Sequence, residues 1–291
     1  MHRIITAAVA AALCTASAAR AQGLSPFPKA TDDLVRAELI ADVASIAPGS
    51  TFRLGVHLTM KEGWHVNWTN PGDAGLAPSI KWILPPVLKA GIITWPLPAR
   101  IMTGPLAIFG YAGDVLLICD VRVPANLPTG GNVELAADVS WLACADECVP
   151  GSGSVHLTLP VEKAARPDPA RRSLFESTEA RWPAHSLAWK MDAWIEESNT
   201  LVLEIQSGDP TASPLQDVSF FPYDPGLIEN ASPQKATAQP GPSGTVYQLR
   251  IERARMPAGN LTRVYGLLVA NGLSRVDGPA AIEVNVPVSR R

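Results

Sequence analysis

Cys144 and Cys148 stand four positions apart in DVSWLACADECVPGSGSVHLTLP (138–160), with Ala145, Asp146 and Glu147 between them and a Pro-Gly-Ser-Gly turn behind. Two thiols at this spacing suit three chemistries: a bond that clips a turn, a metal site, or a dithiol that opens and closes in exchange. If DVSWLAC is extended, Val139, Trp141 and Ala143 share one face, and Ser140, Leu142 and Cys144 share the other. A helix would also bring positions i and i+4 together, but Pro150, Gly151 and Gly153 leave it no room to continue. The three-residue connection predicts a hairpin with the cysteines opposed, where Cα atoms lie about 4.5–5.5 Å apart, within reach of a disulfide. The pair is expected to be bonded when oxidised. Such a bond closes about five residues and contributes at the small end of the range for disulfides. Asp146 and Glu147 disfavour a neighbouring thiolate and so favour the oxidised form. A dithiol that prefers oxidation gives electrons away. Spacing alone leaves the static clip and the redox centre both open.

The metal readings are weaker. The C-x3-C spacing is finger-like, and Cys119 with His156 would complete a Cys3His set. There is no second C-x-x-C, and His156 falls out of phase with Val155, Leu157 and Leu159, which are expected to face inward. A copper cluster of His57, Met60 and His65 is the other candidate, yet the two histidines are eight residues apart across an expected turn. No metal and no cofactor is expected. Cys119 lies in phase with Val115, Leu117, Val121 and Val123, as a buried, inert thiol would. Trp64, Trp68, Trp82 and Trp95 read as core and edge packing, or as an aromatic surface for a partner. No Ser-His-Asp arrangement, phosphate loop or paired-carboxylate signature is present.

The elements that must position the cysteines are strands. Apolar runs of strand length, such as TFRLGVHLTM, DVLLICDVRVP and TVYQLRIER, recur between turns, and the 27 prolines and 22 glycines fall largely in the connections. This pattern predicts an all-β chain of two antiparallel β-sandwich domains. EKAARPDPARRSLFESTEARWPAH (162–185) interrupts the strands, with Pro167 and Pro169 ahead of a short helix whose apolar stripe runs through Leu174 and Ala180. The expected organisation is a signal peptide at 1–21, a first domain at 22–163, a helical linker at 164–184 and a second domain at 185–291.

The leader sets the compartment. MHRIITAAVAAALCTASAARAQG has a basic start, a short apolar run and Ala19-Arg20-Ala21 before Gln22, the layout of a cleaved secretory signal. Its apolar run is about half the roughly 20 residues of a spanning helix. Removing it takes Arg3 and Arg20 and no acid, so the formal charge moves from −3 to −5. That mild acidity speaks against nucleic acid or an anionic membrane as partner. Three cysteines remain, too few for a disulfide scaffold and suited to an oxidising space where a pair can form.

WLACADECVPGSG, with the preceding GYAGDVLLICDVRVP and EGWHVNWTNPGDAGLAPSIKW, resembles the N-terminal periplasmic region of the DsbD-like protein-disulfide reductases. The nearer branch is suppressor of copper sensitivity B, which VSFFPYDPGLIENASPQ and AAIEVNVPV in the second half also resemble. The resemblance implies immunoglobulin-like sandwiches and a redox-active pair that relays electrons to oxidised periplasmic proteins. It further implies Cys148 as nucleophile, Cys144 as resolving thiol, and a shielding aromatic cap loop, placed at AIFGYAG with Phe109 and Tyr111. Trp141, Asp146 and Glu147 complete the expected surroundings of the pair. The implied partners are periplasmic thiol–disulfide oxidoreductases and, since the sequence to Arg291 contains no spanning stretch, a separate membrane electron-conduit protein. The alternative is a non-enzymatic binding module with a structural disulfide, acting in cytochrome c maturation or copper tolerance.

Overall fold

The computed structural model describes residues 33–184, 189–207, 214–241, 244–255, 261–273 and 279–290. The expected signal peptide lies outside them. The chain begins with β1 (Val35–Ala41), β2 (Val43–Ser45), β3 (Thr51–Met60), β4 (His65–Gly72), β5 (Ser79–Ile83) and β6 (Lys89–Ala90). It continues through β7 (Ala99–Thr103), β8 (Leu106–Ala112), β9 (Asp114–Arg122), β10 (Asn132–Cys144) and β11 (Cys148–Pro160). One sheet has the order β1-β3-β9-β6; the other runs β11-β10-β4-β8-β7, with β5 added to β10.

Side chains alternate between the faces of a strand, and both sheets use that alternation to fill one core. Leu54, Val56 and Leu58 of β3 and Leu117, Cys119 and Val121 of β9 enter it from one sheet. Leu135, Val139 and Trp141 of β10 with Val66 and Trp68 of β4 enter from the other. Each fully buried aliphatic side chain contributes about 1.5–3 kcal/mol. Gly110 lets β8 approach β4 closely, because a Cβ there would lie 2.3 Å from the Val66 carbonyl oxygen.

β12 (Arg166–Pro167) pairs with β2 and leads into α1 (Pro169–Glu179). The Asp168 side chain caps α1, accepting from Ala170 N at 2.9 Å. The expected stripe is corrected here: α1 buries Phe175 and Thr178, while Ala180 is exposed and Leu174 only half-buried. The reason is size. Phe175 fills the apolar outer face of the first sheet, against Ile40, Leu116 and Ile118, and the rest of the helix takes its phase from that anchor.

The second half comprises β13 (Trp189–Ile195), β14 (Thr200–Ser207), β15 (Gln216–Pro222), β16 (Lys235–Gly241), β17 (Gly244–Glu252), β18 (Arg263–Asn271) and β19 (Pro279–Arg290). Its strand order is β15-β18-β19-β13-β14-β17-β16. β19 pairs antiparallel with β18 from Pro279 to Pro287, then parallel with β13 from Val288 to Arg290. It thereby joins two strand groups around one core of Leu203, Ile205, Leu249, Val264, Leu268 and Ile282. The fold is all-β and immunoglobulin-like, as expected, with this parallel pairing added to its antiparallel ladders.

An aromatic seam joins the two halves. Trp68 lies 5.1 Å from Tyr223 and Phe109 lies 4.9 Å from Phe221, centroid to centroid. Beside them Asn70 Nδ2 donates to the Pro222 carbonyl at 2.8 Å, and Asn230 Nδ2 donates to Asp73 at 2.9 Å. No helix among the described residues is long and apolar enough to cross a membrane.

Candidate active site at the Cys144–Cys148 hairpin

β10 and β11 form an unbroken antiparallel hairpin whose register runs from Asn132↔Pro160 to Cys144↔Cys148. The alternation read from the sequence holds: Val139, Trp141 and Ala143 are buried, while Ser140 and Leu142 on the other face are half-buried. Cys144 and Cys148 close the last rung. Their sulfurs are bonded, with Cα atoms 4.1 Å apart. Ala145, Asp146 and Glu147 make the turn, which Ala145 N closes onto the Glu147 carbonyl at 2.9 Å.

The two cysteines differ in exposure. Cys144 is 4% exposed, whereas Cys148 is exposed on the departing strand. A disulfide is opened by a thiolate attacking one sulfur while the other leaves, and Cys148 is the more exposed of the two residues. The carboxylates of Asp146 and Glu147 are exposed at the tip. Trp141 faces the core opposite Gly151 and supports the hairpin from behind.

β4 continues the row beyond Cys144. Cys144 pairs with His65, and His65 pairs with Ala112 of β8, so Cys148, Cys144, His65 and Ala112 lie side by side on four strands. His65 is buried, and burial holds its imidazole below its ordinary pKa. This neighbour is what sequence reasoning missed. His65 precedes Cys144 by 79 positions, and nothing in either strand's pattern announces which distant strand it will join.

The stretch expected to cap the pair runs in a strand. AIFGYAG is part of strand β8, and Phe109 and Tyr111 are buried. Phe109 packs on Phe221 and the Tyr111 hydroxyl donates to the Pro96 carbonyl at 2.7 Å. Five consecutive residues, Ala107 to Tyr111, are buried in the sheet.

The candidate metal sets are dispersed. His57 on β3 pairs with Asp114 at 3.0 Å, Met60 is in the core, and His65 is on the other sheet. Cys119 is buried on β9, where burial pushes its thiol up to about 12, and His156 is exposed on β11 opposite Ala136.

Comparison with known proteins places this hairpin. Residues 31–160 match the family described as thiol:disulfide interchange protein DsbD, N-terminal. The crystal structure of the N-terminal periplasmic domain of ScsB from Proteus mirabilis is similar across both halves. It has 18% identity and a TM-score of 0.64, covering 91% of this chain and 98% of that one. An I-band fragment of titin (10% identity, 88% of this chain, 66% of that one, TM-score 0.22) superposes too loosely to carry an argument. So does the major pilin subunit of Bacillus cereus (8% identity, 88% and 68%, TM-score 0.29). No curated protein sequence matches the chain. The disulfide hairpin thus lies within residues 31–160, the part of the chain that matches the DsbD N-terminal family of thiol:disulfide interchange proteins.

Proposed function

We propose that the chain is a periplasmic thiol–disulfide exchange protein that passes electrons through Cys144 and Cys148 to oxidised periplasmic proteins. The observation that carries this reading is the asymmetry of the bond: an exposed residue, Cys148, joined to a buried one, Cys144, on the last rung of a hairpin. In the dithiol form, the Cys148 thiolate attacks one sulfur of a partner disulfide. That S–S bond breaks, a mixed disulfide forms, and the partner's released sulfur takes up a proton. Cys144, as thiolate, then attacks Cys148 Sγ and restores the internal disulfide, freeing the partner's second sulfur. Two electrons and two protons pass to the partner. The dithiol is renewed by the reverse sequence with a reduced donor, a separate membrane electron-conduit protein.

The exchange reading predicts a reversible potential. Equilibration in thiol–disulfide buffers should give a half-reduced point above about −300 mV, since structural bridges fall below that value. Trapping supplies a second readout. Cys144→Ser leaves Cys148 able to attack but removes the resolving thiol, so mixed disulfides with periplasmic proteins accumulate; Cys148→Ser yields none. A pair resistant to reduction, together with no adduct on Cys144→Ser, makes the bond a static clip and defeats the proposal.

A further inference from the structure

Directly opposed residues of an antiparallel ladder project to the same face, with Cα atoms about 4.5–5.5 Å apart. Cys144 and His65 are such a pair. Burial on the neighbouring positions agrees: Val66 and Trp68 of β4 and Trp141 and Ala143 of β10 enter the core, so His65 and Cys144 share the opposite face. His65 flanks Cys144 on one side as Cys148 does on the other. The residue is 5% exposed. This imidazole adjoins a sulfur that becomes a thiol only when the disulfide opens.

We infer that His65 is the proton partner of Cys144, taking the thiol proton when Cys144 resolves a mixed disulfide and returning it when Cys144 is the leaving group, a role that rests on the exchange reading of the hairpin. In the donating direction the Cys144 S–H proton passes to the imidazole, the resulting thiolate attacks Cys148 Sγ, and the partner sulfur leaves with the electron pair. The imidazolium then gives its proton to that departing thiolate or to solvent. In the accepting direction an external thiolate attacks Cys148 Sγ, the electron pair leaves on Cys144, and the neutral imidazole, drawing a proton from solvent as negative charge forms beside it, hands that proton to the Cys144 sulfur. His65 is a positioning and proton-holding residue, acting through Cys144 on the partner.

The charges nearby leave this function open. Asp146 and Glu147 lie at the hairpin tip, Lys61 and Glu62 in the turn before β4, and Asp114 at the start of β9 is engaged by His57. Burial is the sole cause of the lowered His65 pKa, so none of these groups sets its state in the disulfide form. Once Cys144 becomes a thiolate, an opposite charge appears beside the ring and favours imidazolium. His65 is therefore neutral in the oxidised protein at neutral pH and gains a proton with the opening of the bond.

The test uses the full mature chain carrying Cys148→Ser, which leaves Cys144 as a free thiol while Cys119 stays buried. Alkylation of Cys144 by iodoacetamide, followed by mass spectrometry from pH 5 to 10, should show two inflections, one from the imidazole and one from the thiol. Adding His65→Gln should remove the lower inflection and slow alkylation at pH 7 about tenfold, the effect of a one-unit rise in the thiol pKa. Superimposable profiles overturn the proposal. A second measurement needs no variant at the site: the His65 ring proton, followed by NMR in the wild type, should titrate at higher pH in the dithiol than in the disulfide form. Equal values overturn it as well. Neither readout requires a partner protein, so loss of adducts on Cys144→Ser would count against the exchange function alone.

Discussion

Reducing the Cys144–Cys148 bond should cost little stability, and the structure sets how little. The bond joins residues separated by four positions. Closing a loop of about five residues in the unfolded chain removes entropy worth about 2 kcal/mol at 25 °C, against about 3 kcal/mol for a fifteen-residue loop. The native hairpin does not rely on the bond for its shape. The ladder continues for the full thirteen residues of each strand, and Leu135, Val139 and Trp141 anchor it in the core. Urea unfolding with and without dithiothreitol should therefore differ by about 2 kcal/mol, with both forms folded and cooperative at 25 °C. The Cys144→Ala, Cys148→Ala double variant should match the reduced protein. A thermodynamic cycle ties this to the potential: the native pair should be harder to reduce than the same pair in the unfolded chain by about 40 mV. A loss above about 4 kcal/mol, or unfolding on reduction, would refute the reasoning and make the bond a staple.

Phe175→Ala should destabilise the protein by about 3–5 kcal/mol, because Phe175 is fully buried and is the side chain that seats α1 on Ile40, Leu116 and Ile118; limited proteolysis within 164–184 should accelerate in parallel. Asn70→Ala should cost about 1–3 kcal/mol in urea unfolding by leaving the Pro222 carbonyl without its buried donor. Cys119 should resist iodoacetamide in the native protein at pH 8, since burial raises its thiol to about 12, and Cys119→Ala should leave the exchange potential unchanged. The folded thiol pKa lies above the unfolded value, so this group's contribution is fully present below about pH 8.5 and is lost as pH rises towards about 12. The melting temperature of the wild type should accordingly fall more steeply between pH 9 and 11 than that of Cys119→Ala.

What the sequence makes legible is local. The alternation of Val139, Trp141 and Ala143, the three-residue turn and the phase of Cys119 all follow from the period of a strand, and the structure places them accordingly. What it conceals is which strands meet. Pairing of β4 with β10 depends on how both sheets close over the core, so the His65–Cys144 contact has no signature in either segment. AIFGYAG carries a loop-like pair of glycine and alanine at its end, yet its uninterrupted apolar run belongs in a sheet centre. The helix shows the same limit. Leu174 and Ala180 are one turn and a half apart and read as a stripe, but the apolar patch on the sheet selects Phe175 and Thr178 instead.

A hairpin that keeps its shape when the bond opens also governs how exchange must proceed. With the ladder intact, Cys144 and Cys148 remain on facing positions with Cα atoms near the 4.1 Å of the bonded form. Groups held in such proximity react as if at very high effective concentration, reaching 10⁵ M or more in well-oriented cases, a figure on the order of the lower end of that range. In the proposed exchange, resolution by Cys144 should thus outpace escape of the partner, and a mixed disulfide through Cys148 should be short-lived. Two consequences follow from one geometry. If the pair exchanges as proposed, adducts should be scarce with the wild type and accumulate only when Cys144 is replaced, and turnover should be set by the encounter at Cys148 rather than by the closing step behind it. Measured under a large excess of partner disulfide, oxidation of the dithiol should stay first order in partner without reaching a plateau. A plateau at low partner concentration would mean that Cys144 is slow to resolve and that the ladder opens when the bond does.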